Sequence, residues 1–147
     1  MSEPSRLAFV CVENAGRSQM AAAFATEWIE ERGLEDRFEV VSGGTEPAGH
    51  VHGVVIEAMA ERGVDLSDAE PTALPREAIL DMDHVITMGC SADDVCPATW
   101  RGDSRDWDLE DPGGKSLATV RSIRDEIDDR VATLLSNLRD GTDGSDR

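Results

Sequence analysis

A cysteine, an arginine and a serine fall close together near the start of the chain, in Leu7-Ala-Phe-Val-Cys11-Val-Glu-Asn-Ala-Gly-Arg17-Ser18. A short apolar run ends at Cys11, five residues separate it from Arg17, and a helix-like segment follows Ser18. A thiol at a strand end, a loop leading into a helix N-terminus and an arginine beyond the loop would together hold a tetrahedral oxyanion. The loop amides and the helix dipole attract the anion, and the same field favours a thiolate on Cys11. Ser18 offers a hydroxyl to that thiolate. The bare spacing is weak: three cysteines and thirteen arginines in 147 residues give a chance Cys-x5-Arg about 0.3 times, so strand and helix context carry the reading. The competing description is a buried cysteine that merely packs at a strand end.

Thiolate attack on an oxyanion needs an acid to protonate the departing oxygen. Trp107-Asp-Leu-Glu-Asp111-Pro112-Gly-Gly-Lys115 places carboxyl groups on a turn-forming surface loop able to reach over a pocket. Asp111 is the choice, with Glu110 and Asp108 as the next acids. Cys90-Ser-Ala-Asp-Asp-Val-Cys96 follows another apolar run and offers two resolving thiols; the spacing is not Cys-x2-Cys, and no metal site is expected. His50 and His52 read as a surface or capping loop before a helix, and His84 as structural. Trp28 is expected in the core, while Trp100 and Trp107 could shape a pocket wall.

Four apolar runs position these groups. Leu7 to Val10 and His84 to Met88 suit buried strands, Phe38 to Ser42 is β-rich with Gly43-Gly44 read as its closing turn, and Asp106 to Leu109 is a weaker strand. Met20, Phe24 and Trp28 mark a helix from Arg17 to near Gly33; Val51, Val55, Ala58 and Met59 mark a second ending at Gly63. A short third helix is expected over Leu74 to Met82, and Val120, Ile123, Ile127, Val131, Leu134 and Leu138 trace a long last one. This alternation predicts an α/β fold: one three-layer α/β/α domain with a short parallel sheet, covering 1–139, and a disordered acidic tail over 140–147. Ligands of such sheets sit beyond the carboxyl ends of strands, where both Cys11 and Cys90 are expected.

The net charge of −17 comes from 31 acidic and 14 basic residues, with Lys115 the only lysine. That balance disfavours nucleic acid and anionic membrane surfaces as partners. Spread along the chain, it suits a solvated surface of the halophile type, although an ordinary acidic protein has the same signature. No signal peptide or membrane span is evident, and a cytoplasmic location is expected.

Together these segments resemble the arsenate reductases built on the low-molecular-weight protein tyrosine phosphatase fold. The resemblance covers about residues 6 to 139. It rests on Cys11-Val-Glu-Asn-Ala-Gly-Arg17-Ser18-Gln-Met, Ser42-Gly-Gly-Thr45, Ala58-Met-Ala-Glu-Arg-Gly63, Ile86-Thr-Met-Gly-Cys90, Asp106-Trp-Asp-Leu-Glu-Asp-Pro112 and Val120-Arg-Ser-Ile-Arg-Asp-Glu-Ile127. Tyrosine phosphatases of this fold usually carry a tyrosine beside the acid, and this chain has none.

The resemblance implies that Cys11 is the nucleophile and that Val12, Glu13, Asn14, Ala15, Gly16 and Arg17 form the oxyanion cradle. Arg17 would clamp two oxygens, Asn14 hold the loop's shape, Ser18 stabilise the thiolate and Asp111 serve as acid. Arsenate, with phosphate or sulfate as analogues, would form a Cys11–arsenic adduct that a second thiol resolves, releasing arsenite in a step of arsenic detoxification. No bound cofactor is implied. Electrons would come through Cys90 or Cys96, or from thioredoxin, glutaredoxin or a low-molecular-weight thiol. Thioredoxin-coupled members usually have a cysteine where this chain has Gly16, and their later cysteines lie one residue further apart than Cys90 and Cys96. The acid that binds potassium in some members is replaced by Ala22. A phosphatase acting through a phosphocysteine is the alternative, needing only Cys11, Arg17 and Asp111; a non-catalytic anion-binding module is the third.

Overall fold

A computed structural model describes residues 4–89, 100 and 102–140. Four parallel strands form one sheet in the order β2-β1-β3-β4: β1 Ser5–Cys11, β2 Phe38–Gly44, β3 His84–Met88 and β4 Asp103–Asp106. Cys11 pairs in register with Gly44 on one side and Met88 on the other, so three strands finish at one level around the sulfur. The sheet's carboxyl edge therefore bears the cysteine loop, as the sequence pattern requires.

Side chains of β1 alternate between two cores. Leu7, Phe9 and Cys11 enter the larger one, which is closed by α1 Arg17–Glu31, α2 Gly53–Ala60 and α4 Leu117–Asp140. Ala8 and Val10 face the smaller one, with Ile79 of the single-turn helix α3 Arg76–Ile79, Val85 and the partly buried Trp100. This two-sided burial explains the near-continuous apolar run of β1. Met20, Phe24 and Ile29 bring α1 onto the sheet, and Val120, Ile123, Ile127 and Val131 do the same for α4. Each fully buried side chain of this size contributes about 1.5–3 kcal/mol.

A charged clamp joins α2 to α4 behind the site. The buried Arg124 donates to the Ala58 carbonyl and to Glu61, each at 2.9 Å, while Arg121 reaches Glu61 at 2.6 Å. Hydrogen bonds from Arg121 first, and then Arg124, hold the Glu61 carboxyl at about 2, against an ordinary value of 4.5. No helix among the described residues is long and apolar enough to cross a membrane.

Several expectations change. Gly43 and Gly44 close no turn; they are the last two residues of β2. A Cβ at Gly43 would lie 2.4 Å from the Leu74 Cβ, and one at Gly44 2.6 Å from the Val12 carbonyl oxygen, so the glycines serve close packing within the strand. The weak strand lies at Asp103–Asp106 rather than 106–109, because the edge strand is polar and half exposed while the apolar Trp107 and Leu109 follow it. The third helix is one turn long, and Asp140, expected in the tail, closes α4; residues 141–147 lie outside the described ones.

Candidate active site

Cys11 ends β1 with its sulfur buried. The Asn14 amide N–H donates to Sγ at 3.1 Å, and the Ser18 Oγ lies 2.9 Å from it. Ser18 in turn accepts from Asn14 Nδ2 at 2.6 Å. The Asn14 amide is oriented by its other end: Oδ1 accepts from the Thr72 N–H at 2.9 Å and from Gln19 Nε2 at 3.0 Å. With one serine lone pair occupied by Asn14, the hydroxyl keeps its proton and a second lone pair for the hydrogen bond it shares with sulfur. The Asn14 amide and the Ser18 hydroxyl thus both meet Sγ, and both are able to donate to it.

Asn14 is also the one non-glycine residue at positive φ among those described, at 53°. Asparagine tolerates that left-handed region better than most residues. Its side chain locks the loop to the segment after α2 through Thr72, and Gln19 adds bonds to the Asn14 carbonyl at 3.1 Å and the Glu70 carbonyl at 3.3 Å. Both Asn14 and Ser18 are fully buried. Four carbonyls of the segment are engaged from outside: Cys11 by Thr45, Val12 by Glu46, Glu13 by Ala48 and Ala15 by His52, at 2.7–3.2 Å. They are therefore not left facing an incoming anion.

Arg17, the first residue of α1, spans to the acid loop. Nη1 donates to the Leu109 carbonyl at 3.0 Å, and the guanidinium lies against Gly89, where a Cβ would come within 2.7 Å of Nη1 and Nη2. The end of β3 and the Leu109 carbonyl thus fix the arginine from two sides. Pro112 is buried against Gly16, where a Cβ would sit 2.6 Å from the prolyl Cγ. Asp111, beside it, is exposed and accepts the Gly113 N–H at 2.9 Å. Cys11, residues 12–17, Ser18 and the Asp111 loop are thereby gathered at one end of the sheet. Cys90 and Cys96 lie outside the described residues.

Other expectations need correction. Trp107 packs in the core, its ring 6.0 Å from Phe9 and 5.9 Å beneath the Arg130 guanidinium, while Trp100 Nε1 bonds the Met82 carbonyl at 2.8 Å. Trp107 also lines a cavity with Arg105, Arg130 and Leu134, a group that contains no residue of the cysteine loop. Trp28 is only partly buried and stacks with Arg32 at 4.1 Å and Arg139 at 5.4 Å. His84 needs no correction: it opens β3 as expected, 3.6 Å from Asp103. Sequence reasoning missed Gln19, Thr72 and the Leu109 carbonyl. Gln19 carried a signal, a polar residue on the buried side of α1; Thr72 and a backbone carbonyl carry none. No group of three or more His, Cys, Asp or Glu that could hold a metal is found among the described residues.

Comparison with known proteins places this geometry. The family described as low molecular weight phosphotyrosine protein phosphatase matches residues 6–143. A Halobacterium salinarum protein named "Putative arsenate reductase" is 48% identical over 134 residues, covering 91% of this chain and 93% of its own. A solved structure called "An arsenate reductase in the phosphate binding state" superposes with a TM-score of 0.75 at 33% identity, covering 90% of this chain and 98% of that one. The Corynebacterium glutamicum thioredoxin-dependent arsenate reductase superposes with a TM-score of 0.76 at 38% identity, covering 94% of this chain but 63% of that one. Fold, sequence and the cysteine loop all lead to one assignment: the chain belongs to the low molecular weight phosphotyrosine protein phosphatase family.

Proposed function

We propose that this protein reduces arsenate to arsenite, with Cys11 as the nucleophile. The observation that carries the reading is the buried Cys11 sulfur, which accepts from the Asn14 amide and shares a hydrogen bond with the Ser18 hydroxyl. Similarity over nearly the whole chain to proteins named as arsenate reductases supports arsenate as the oxyanion.

Arsenate settles on the amides of residues 12–17, and Arg17, already fixed by Gly89 and Leu109, presents its remaining guanidinium N–H groups to two oxygens. The Cys11 thiolate attacks arsenic, forming the S–As bond. One As–O bond breaks, and Asp111 gives its proton to the departing oxygen, which leaves as water. A second thiol then attacks the Cys11 sulfur. The S–S bond forms, the S–As pair returns to arsenic and reduces As(V) to As(III), and arsenite departs. Thioredoxin dependence is stated for the C. glutamicum relative. In this chain Gly16 denies a thiol beside Arg17, so the second sulfur is supplied by Cys90 or Cys96 or by an external thiol.

The test measures arsenate reduction by wild type, Cys11→Ser, Cys90→Ser and Cys96→Ser, each supplied with a thioredoxin system or a small thiol, beside hydrolysis of an aryl phosphate. Thiol-dependent arsenite production that vanishes in Cys11→Ser is expected. Aryl phosphate turnover without arsenate reduction would instead make the protein a phosphatase. If both later cysteine variants keep full activity with a small thiol and thioredoxin adds nothing, Cys11 acts alone.

A further inference from the structure

His52 lies where the cysteine loop, the start of α2 and the acid loop meet. Its backbone is fixed on both sides: the N–H donates to the Ala15 carbonyl at 3.0 Å, and its carbonyl accepts from Val55 and Ile56 at 3.0 and 3.1 Å. The imidazole has therefore little freedom beyond its own two torsions. Nε2 stands 3.6 Å from Glu13 Oε1, a carboxylate carried by the cysteine loop itself. A carboxylate in an anion-binding loop is costly unless it is turned to another partner, and Glu13 is half exposed and turned to His52.

The same Nε2–Cε1 edge of the ring meets the acid loop. A Cβ at Gly113 would lie 3.0 Å from His52 Nε2, 3.3 Å from Cε1 and 3.4 Å from Asp111 Oδ1. Gly113 also supplies the N–H that Asp111 Oδ1 accepts. The imidazole thus abuts the residue that orients the candidate acid, and a Cβ there would press on the ring. Pro112 in the Gly16 notch and the Arg17 bond to Leu109 hold the preceding part of the same loop.

We propose that His52, oriented by Glu13, is a positioning residue that sets the Asp111 loop against the cysteine loop through Gly113. This rests on the proposed role of Asp111 for its kinetic consequence and on geometry alone for its structural one. An imidazole held over the turn limits how Asp111–Gly113 can tilt, and so narrows the range of distances from the acid to the departing oxygen. Removing the ring lets the turn drift, and a displacement near 1 Å costs about 10- to 100-fold in the acid-assisted step.

The test compares wild type, His52→Ala, His52→Gln, Gly113→Ala and the His52→Ala/Gly113→Ala double variant. Hydrogen exchange of the Asp111, Gly113, Gly114 and Lys115 amides is followed alongside steady-state arsenate reduction and aryl phosphate hydrolysis. In His52→Ala, exchange should rise roughly tenfold at these amides and not in β1 or α4. In the same variant kcat should fall about 10- to 100-fold with KM for arsenate within about twofold, and His52→Gln should recover part of the loss. Gly113→Ala should also be damaging, but only because the ring is there. The double variant should therefore be no slower than His52→Ala, a non-additivity expected of groups in contact. Unchanged exchange and kcat in His52→Ala, or losses that multiply in the double variant, would overturn the proposal. If His52→Ala does not fold, His52→Gln and Gly113→Ala carry the comparison. Exchange needs neither reaction, so a wild type inert towards arsenate would remove the functional reading and leave this one testable.

Discussion

Replacing Asn14 by alanine tests whether the cysteine loop is held by side-chain bonds rather than by its sequence neighbours. Three short hydrogen bonds disappear, to Ser18 at 2.6 Å, from the Thr72 N–H at 2.9 Å and from Gln19 at 3.0 Å, together with a long contact from the Thr72 hydroxyl at 3.5 Å. At about 1 kcal/mol for each bond, that is about 3 kcal/mol. Gln19 keeps the Asn14 and Glu70 carbonyls, so it is not stranded. Alanine must also hold a φ of 53°, which adds about 1 kcal/mol relative to asparagine. The total, about 4 kcal/mol, is a large share of the 5–15 kcal/mol typical of a domain, so the variant should fold but unfold at clearly lower denaturant. Asn14→Gly separates the terms: it loses the same bonds without the left-handed penalty in the native state. Urea melts of the three proteins, followed by tryptophan fluorescence, give the values. Both variants should also lose turnover, because Ser18 is no longer turned towards sulfur. A loss below about 1 kcal/mol in Asn14→Ala would refute the assignment of the loop's rigidity to this side chain.

Asp111→Asn should slow turnover by about 10²–10⁴ while phosphate still protects the protein against heat; an unchanged pH–rate profile would pass the role to Glu110 or Asp108. Arg17→Lys should be severely damaging in kcat/KM, since lysine lacks the planar fork that meets both Leu109 and an oxyanion. The Glu61 carboxyl, held at about 2 by Arg121 and Arg124, is lowered from its unfolded value of 4.5, so its stabilising contribution is complete above that value and fades as pH falls towards 2. Wild type and Glu61→Gln should accordingly differ in denaturant stability at neutral pH and converge through this window; parallel curves would exclude the linkage.

The chemistry-bearing loop was legible because its parts are local: an apolar strand, a cysteine, a polar loop and the Met20–Phe24 stripe lie within one stretch of chain. The third constituent, Asp111, stood out only through Pro112 and the glycines. What the residues could not disclose is contact between distant segments. Thr72 holds Asn14, and Leu109 holds Arg17, through backbone groups that every residue type carries. Gly43-Gly44 looked like a turn because glycine permits turns and tight packing alike, and the neighbours that decide between them are Leu74 and Val12. β4 was misplaced for a related reason: Asp-Ser-Arg-Asp has no apolar alternation, and its pairing with β3 is dictated by the neighbouring strand.

The notch at Gly16 constrains how such a protein can change over generations. Any side chain at that position collides with Pro112 in the present loop pose, so Gly16 and Pro112 form an epistatic pair although they are distant in sequence. A cysteine cannot appear beside Arg17 as an isolated neutral step: the acid loop must first find another seat, and a displaced loop surrenders the contacts that hold Arg17 through Leu109. With Pro112 seated in the notch, position 16 of this chain has no room for a thiol-bearing side chain, and a second sulfur has to reach Cys11 from elsewhere.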